Sequence, residues 1–220
     1  MSFKRLLTNL RTRNLFLIQK VNISCWSCGK EVTALVSNLF CSNCKALQTP
    51  DGVENYFKLM GVKESYDLDE TDLANKYKQL QKYLHPDKYA NSNKMEQEIS
   101  AKYSSLVNEA YKTLLEPLSR GIYMLQLRGK HIEENTQIDP EFLMKIMEKN
   151  EEVENAETEA EIMKLNEEIR SIIKDLEKRL STAFFDGDLK SVIHLLGHMK
   201  YYSSIYNQIQ QAIQKKGIIR

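Results

Sequence analysis

Two groups of residues in this sequence could do chemistry. The cysteines Cys25, Cys28, Cys41 and Cys44 read "CWSCGK" and then "FCSNCK". Two C-x-x-C pairs across a short spacer fit a tetrahedral metal site, each pair forming a tight knuckle whose thiolates converge. Gly29 follows the first pair, where backbone must pass close to the metal. The intervening "KEVTALVSNLF" carries Val32, Leu35, Val36 and Leu39 with an "SN" turn, which predicts a small hairpin between the knuckles. Zinc is the expected ion. Four thiolates leave it no open coordination position, so its role would be structural. A disulfide framework fits a reducing compartment less well, and a thioredoxin-like site calls for one C-x-x-C in an α/β setting that is not present.

The second group is His85-Pro86-Asp87, within "YLHPDKY". Proline has no N–H and pushes the residue before it out of the helical region. A helix therefore ends near Leu84, and the tripeptide makes a rigid surface corner. A plain helix stop would look the same, so the neighbouring elements decide its meaning.

Those elements are helices. "GVENYFKLMGV" predicts a short helix burying Tyr56, Phe57, Leu59 and Met60 and ending at Gly61. In "DLDETDLANKYKQLQKYL", Asp69 is a good N-cap, and Glu70 and Asp72 suit the positive end of the dipole. Leu73, Tyr77, Leu80 and Leu84 define one apolar stripe. Lys76, Lys78 and Lys82 occupy other parts of the same helix, and Lys88 follows the corner. After a polar "ANSN" loop, a long helix runs through "KMEQEISAKYSSLVNEAYKTLLEPL", with Ile99, Tyr103, Leu106, Ala110 and Leu114 in register. The corner thus sits at the tip of an antiparallel helical hairpin.

The whole chain sets limits. Its 220 residues suit one or two domains with real cores. Lys plus Arg number 31 and Asp plus Glu 30, a neutral balance that argues against bulk nucleic-acid or membrane-surface binding. Gly and Pro are scarce, and no apolar run reaches the length of a membrane span. The first 30 residues differ from the rest: Lys4, Arg5, Arg11, Arg13, Lys20 and Lys30 occur with no acidic residue. Leu6, Leu7, Leu10, Leu15, Phe16 and Ile18 would make a helix apolar on one side. This is the composition of a mitochondrial transit peptide, although a disordered basic tail would share much of it.

A short helix, a basic amphipathic helix, an H-P-D corner and a long returning helix together resemble a J domain of the DnaJ type. The resemblance implies docking on a heat-shock ATPase chaperone of the DnaK class and stimulation of its ATP hydrolysis. His85 and Asp87 would be the contacts, Pro86 their rigid support, and Lys76, Lys78 and Lys82 the attraction to an acidic partner surface. The continuation "NEAYKTLLEPLSRGIYMLQLRG", the four-cysteine module and the basic leader are similar to the HscB-type co-chaperones of iron–sulfur cluster assembly, in their mitochondrial form.

Beyond Gly129, "KHIEENTQI" is a polar connector. Asp139 then caps a helix with Pro140 at its first position. Ile162, Leu165, Ile169, Ile172, Leu176, Leu180 and Phe184 keep helical steps in a second helix. Asp186-Gly187-Asp188 makes a turn, and Asp188 caps a third helix. Short connections predict an antiparallel three-helix bundle. The resemblance implies that this bundle binds an IscU-type scaffold through Leu143, Met144, Met147, Glu148 and Glu151, with Tyr201 on the last helix. On the residues alone, Leu143 could close a hydrophobic staple with Ile138, and Met144 or Met147 could be core. No titratable cluster, phosphate loop or nucleophile arrangement argues for catalysis.

The expected protein is mainly α. It has a transit segment over 1–24, a four-cysteine zinc module over 25–50, a J domain with a trailing short helix over 53–129, and a three-helix bundle over 139–216. It would be a non-enzymatic co-chaperone of the mitochondrial matrix, monomeric or weakly dimeric, with no bound nucleotide and no nucleic-acid or membrane partner. An adaptor for another client, or a zinc-dependent nucleic-acid or redox protein, are the competing readings.

Overall fold

The computed structural model describes residues 23–32, 39–50, 55–132 and 139–216. Residues 1–22 of the expected transit segment, residues 33–38 between the cysteine pairs and Ile138 of the expected staple lie outside those residues, whereas Ile23 and Ser24 form a strand of the first unit. The chain divides into two compact units, one ending at Gln48 and one beginning at Thr49.

Among its described residues the first unit has little regular structure. Strands β1 (Ile23–Ser24) and β2 (Glu31–Val32) pair antiparallel, with Ser24 opposite Glu31. They flank the Cys25–Cys28 turn, and an isolated bridge between Phe40 and Leu47 flanks the second turn in the same way. The extended pairing therefore embraces each knuckle; the hairpin expected between them falls mostly on residues 33–38, outside the described residues.

The second unit is helical. Helix α1 (Tyr56–Met60) starts at the Asn55 cap and ends where Gly61 takes φ 67°. Tyr56 stacks on Tyr123, and its backbone N–H donates to the Tyr123 hydroxyl at 2.8 Å. Helix α2 (Glu70–Leu84) begins at Asp69, whose carboxylate accepts from the N–H groups of Thr71 and Asp72. A 3-10 turn over Pro86–Tyr89 follows, and α3 (Lys94–Leu115) returns alongside α2.

Two details of the hairpin depart from the sequence pattern. Val107 is fully buried where Leu106 was expected, because the α3 seam steps 99, 103, 107, 110, 114. Leu80 is only half-buried, and so is Tyr77. Tyr77 stacks on Tyr111 with centroids 4.3 Å apart and donates to Asn108 Oδ1 at 2.8 Å. Gln81 Nε2 donates to the same oxygen at 2.8 Å, and Ser104 Oγ donates to Gln81 Oε1 at 3.1 Å. The helices are therefore held by a polar ladder beside their apolar seam.

That ladder closes at the corner. In a continuing helix the Leu84 carbonyl would accept from the N–H of Lys88, but that N–H bonds to the His85 carbonyl instead, at 3.0 Å. The Leu84 oxygen is taken by Ser100 Oγ of α3 at 2.8 Å, in a buried setting. A buried carbonyl without a donor is costly, so this contact fixes where α2 stops.

The long helix does not run through to Leu118 as the sequence suggested. It stops at Glu116, which is extended (φ −82°, ψ 118°) because Pro117 follows. Pro117 opens α4 (Pro117–Leu127). Arg120, only 6% exposed, donates through Nη1 to the Leu114 carbonyl at 2.7 Å, closing the end of α3. Its guanidinium lies 5.1 Å above the Tyr66 ring, and Tyr66 stacks on Phe184.

The bundle comprises α5 (Pro140–Asn155), α6 (Glu159–Asp186) and α7 (Leu189–Lys215). Asp139, Thr158 and Asp188 cap them, and Gly187 turns the chain at φ 73°. Leu165, Ile169, Leu180, Leu196 and Ile205 are among the buried residues between α6 and α7. Ile172 is half-buried at the edge of that core. Gln210 donates to the buried Asn166 across the pair at 2.8 Å, which pins their register. Helix α4 also packs on α7. A Cβ on Gly121 would meet Leu196 Cδ2 at 2.6 Å, so a larger residue there would have to displace the buried Leu196 side chain.

Ser100→Ala is expected to lower unfolding stability by about 1–3 kcal/mol, because the Leu84 carbonyl would stay buried without a donor. Urea denaturation measures this, and an unchanged midpoint would show that the hydroxyl is not the closing group.

Candidate functional site

The structure offers three candidate sites, and each is built differently. At the corner, His85 caps α2 in an extended conformation (φ −62°, ψ 130°), and its N–H still bonds to the Gln81 carbonyl. Pro86 then occupies the first position of the 3-10 turn. His85 Nδ1 lies 3.3 Å from the Asp87 N–H and 3.4 Å from Asp87 Oδ2. An unprotonated Nδ1 accepts from the backbone, whereas a protonated Nδ1 faces the carboxylate. The two contacts are alternatives, and both aim the ring from its own loop. The side chains of His85 and Asp87 are 54% and 90% exposed, so the corner is rigid in backbone and open to a partner.

Neighbouring groups reinforce that backbone. Tyr89 donates to the Tyr83 carbonyl at 3.1 Å, and Gln97 Nε2 donates to the carbonyls of Ala90 and Ser92 at 3.1 and 2.9 Å. Lys88 lies 5.9 Å from the centroid of the Tyr83 ring. Lys78 and Lys82 are exposed and one turn apart, but Lys76 is half-buried. At 3.6 residues per turn Lys76 stands about 160° around the helix from Lys78. The structure therefore unites two of the three lysines on one outer face.

At the cysteines, the four Sγ atoms all lie within 4.8 Å of one another. Cys25 and Cys44 are 3.6 Å apart, and Cys28 and Cys41 are 3.8 Å apart. A zinc tetrahedron with Zn–S of about 2.3 Å has edges of about 3.8 Å, so the sulfurs fit a four-coordinate ion. The two knuckles repeat one backbone pattern. Gly29 N–H bonds to the Cys25 carbonyl at 2.9 Å, and Lys45 N–H bonds to the Cys41 carbonyl at 3.0 Å. Both residues have positive φ, 70° and 62°, which glycine adopts freely and lysine does not.

Sulfur electrostatics agree with a cation. Burial opposes ionisation of Cys25, yet the backbone of Cys28 and Ser27, the Cys44 thiol and the Gln48 amide outweigh it and bring that thiol down to about 6. The Lys30 backbone and then the Asn43 amide hold Cys28 below the usual thiol range. At Cys44 the Ala46 N–H favours the thiolate, but desolvation and the neighbouring sulfurs push it up to about 11. Four thiolates so close repel one another, and a divalent cation relieves that repulsion. Gln48, Asn43 and the Trp26 indole, which donates to the Leu47 carbonyl at 2.7 Å, are supports that the C-x-x-C pattern did not reveal.

On the bundle, α5 buries only Phe142 and Ile146. Phe142 stacks face to face on His198 at 3.8 Å and meets Tyr201 and Tyr202 edge-on. Burial and the nearby His194 hold the His198 imidazole below its usual range. Met144 and Met147 are each 62% exposed, so neither belongs to the core. Glu148 and Glu151 are exposed beside them. With about 100° between successive residues, these four fall within about 100° of arc. Leu143 and Tyr201 are half-buried at the edge of the bundle core, so they flank this face rather than crown it.

A J-type hairpin with a rigid H-P-D tip, joined to a helical bundle and accompanied by a four-thiol centre, is the architecture of a J-domain co-chaperone. Comparison with known proteins agrees. Residues 55–123 match the DnaJ domain, residues 138–210 the HSCB C-terminal oligomerisation domain, and residues 24–48 the co-chaperone HscB tetracysteine metal binding motif. The iron-sulfur cluster co-chaperone protein HscB of Mus musculus is 40% identical over 189 residues, covering 84% of this chain and 81% of that protein. The HscB homolog of Arabidopsis thaliana is 32% identical over 186 residues, covering 84% and 72%. The crystal structure of the human co-chaperone protein HscB superposes with a TM-score of 0.81 at 38% identity, covering 86% of this chain and 98% of that one. The chain belongs to the HscB family of J-domain co-chaperones of iron–sulfur cluster biogenesis.

Proposed function

We propose that this protein bridges a DnaK-class chaperone and an IscU-type cluster scaffold in the mitochondrial matrix. The observation that carries the reading is a rigid, exposed His85-Pro86-Asp87 tip and an exposed Met–Glu face on α5 within one compact helical unit. The corner would contact the chaperone and favour its hydrolysis-competent state, with Lys78 and Lys82 attracting an acidic surface. Lys76 would contribute from the flank. Met144 and Met147 offer adaptable apolar area, and Glu148 and Glu151 select a basic rim on the scaffold. Leu143 and Tyr201 would border that contact. The basic composition of residues 1–24 supports the matrix location, as does the likeness to the mouse and Arabidopsis relatives.

We infer that the four-cysteine module takes zinc. Cys25, Cys28, Cys41 and Cys44 would hold it with no coordination position free, so the ion would stabilise the fold of that module and do no chemistry. Trp26, the one tryptophan of the chain, reports on this module from its bond to Leu47. Chelation should release metal and shift the Trp26 emission to longer wavelength while far-ultraviolet helicity stays. Emission unchanged at full metal loss would separate the metal from the fold of the module.

Single-turnover ATP hydrolysis by the mitochondrial DnaK-class chaperone tests the corner. The wild-type chain should stimulate hydrolysis, and His85→Gln should return it to the unstimulated rate. Equal stimulation by both proteins would remove His85 from the contact.

A further inference from the structure

The exposed face of α5 is useful only if the helix cannot roll, and in its second half Val153 is only partly buried against the bundle core. Its buried anchors, Phe142 and Ile146, both lie in its first half. At the middle of the helix stands Lys149, whose side chain is only 23% exposed. Its Nζ lies 2.8 Å from Glu152 Oε2 on α5 and 2.8 Å from Glu168 Oε1 on α6. It points about 150° away from the centre of the sector holding Met144, Met147, Glu148 and Glu151. One ammonium thus pins the back of α5 to α6 at the level of the residues that face outward.

We propose that Lys149 is a positioning residue for partner recognition by α5, clamping the helix to α6 through Glu168 so that Met144, Met147, Glu148 and Glu151 face outward together. The proposal rests on the reading of that face as the scaffold-binding surface. The clamp also sorts the carboxylates of α5. Glu152 is held by Lys149, whereas Glu148 and Glu151 appear in no ion pair among the described residues and keep their charge for a partner. Neither the pattern of α5 nor that of α6 reveals the clamp, because its two halves lie in different helices.

The sign of the effect separates positioning from direct electrostatics. An acidic face recognises a basic partner, so deleting a nearby lysine charge should tighten binding if charge alone mattered. Loss of a positioning clamp should weaken it, because binding must then order the helix.

The test is calorimetric titration of the full chain with the purified IscU-type scaffold. Lys149→Met keeps the apolar stem and removes the charge. Lys149→Arg keeps both ion pairs, Glu168→Gln opens the α6 half of the clamp alone, and Met147→Ala reports on the face itself. Lys149→Met and Glu168→Gln should each raise Kd about tenfold with melting temperatures close to wild type, and Lys149→Arg should restore wild-type affinity. Should Lys149→Met not fold, Lys149→Gln takes its place, since it too removes the ammonium and leaves Glu168 charged. Wild-type or tighter binding by these variants, with Met147→Ala weakened, would overturn the positioning role. No effect of Met147→Ala would instead overturn the scaffold-binding reading of α5.

Discussion

The carbonyl of Leu84 loses its helical donor when Pro86 turns the chain, and so deep in the protein it must find another. Ser100 supplies that donor from α3. The contact joins the last turn of α2 to the first half of α3, and the ladder of Gln81, Ser104, Asn108 and Tyr77 continues it along the hairpin. The outcome is a corner whose backbone is settled before any partner arrives, with His85 and Asp87 left in solvent. Preorganisation of this kind spares a contact the entropy of ordering its own loop.

The same logic of closed carbonyls joins the hairpin to the bundle. Glu116 breaks α3 because Pro117 follows, and the buried Arg120 caps the broken end. Arg120 then lies over Tyr66, which stacks on Phe184 of α6, while Gly121 admits Leu196 of α7. Helix α4 therefore acts as a spacer shared by both halves. In the proposed bridge this packing would hold the chaperone-facing tip and the bundle in a fixed relation.

Much of this was legible in the sequence. Asp69 and Asp188 announced their helices, Gly61 and Gly187 their ends, and His85-Pro86-Asp87 the corner, because caps and breakers act locally. The cysteine spacing likewise announced a metal site. Contacts that depend on the partner element could not be read. Leu106 is as apolar as Val107, and only the packing of α3 against its neighbouring helices decides which is buried. A buried arginine at 120 is invisible to hydropathy, since the Leu114 carbonyl that accepts its bond is freed by a break further along. Lys45 occupies a left-handed position that composition would have given to glycine. Met144 and Met147 were ambiguous until Phe142 and Ile146 were seen to fill the α5 core positions.

In the proposed bridge one molecule holds chaperone and scaffold at once, through the His85-Pro86-Asp87 tip and the α5 face of one helical unit. Sedimentation velocity with the three proteins carrying distinct labels, in ATP and with a hydrolysis-deficient chaperone, tests this most directly. One boundary in which all three labels travel together, with one copy of each, is expected. Displacement of the scaffold as chaperone is added, leaving only pairwise complexes, would contradict it.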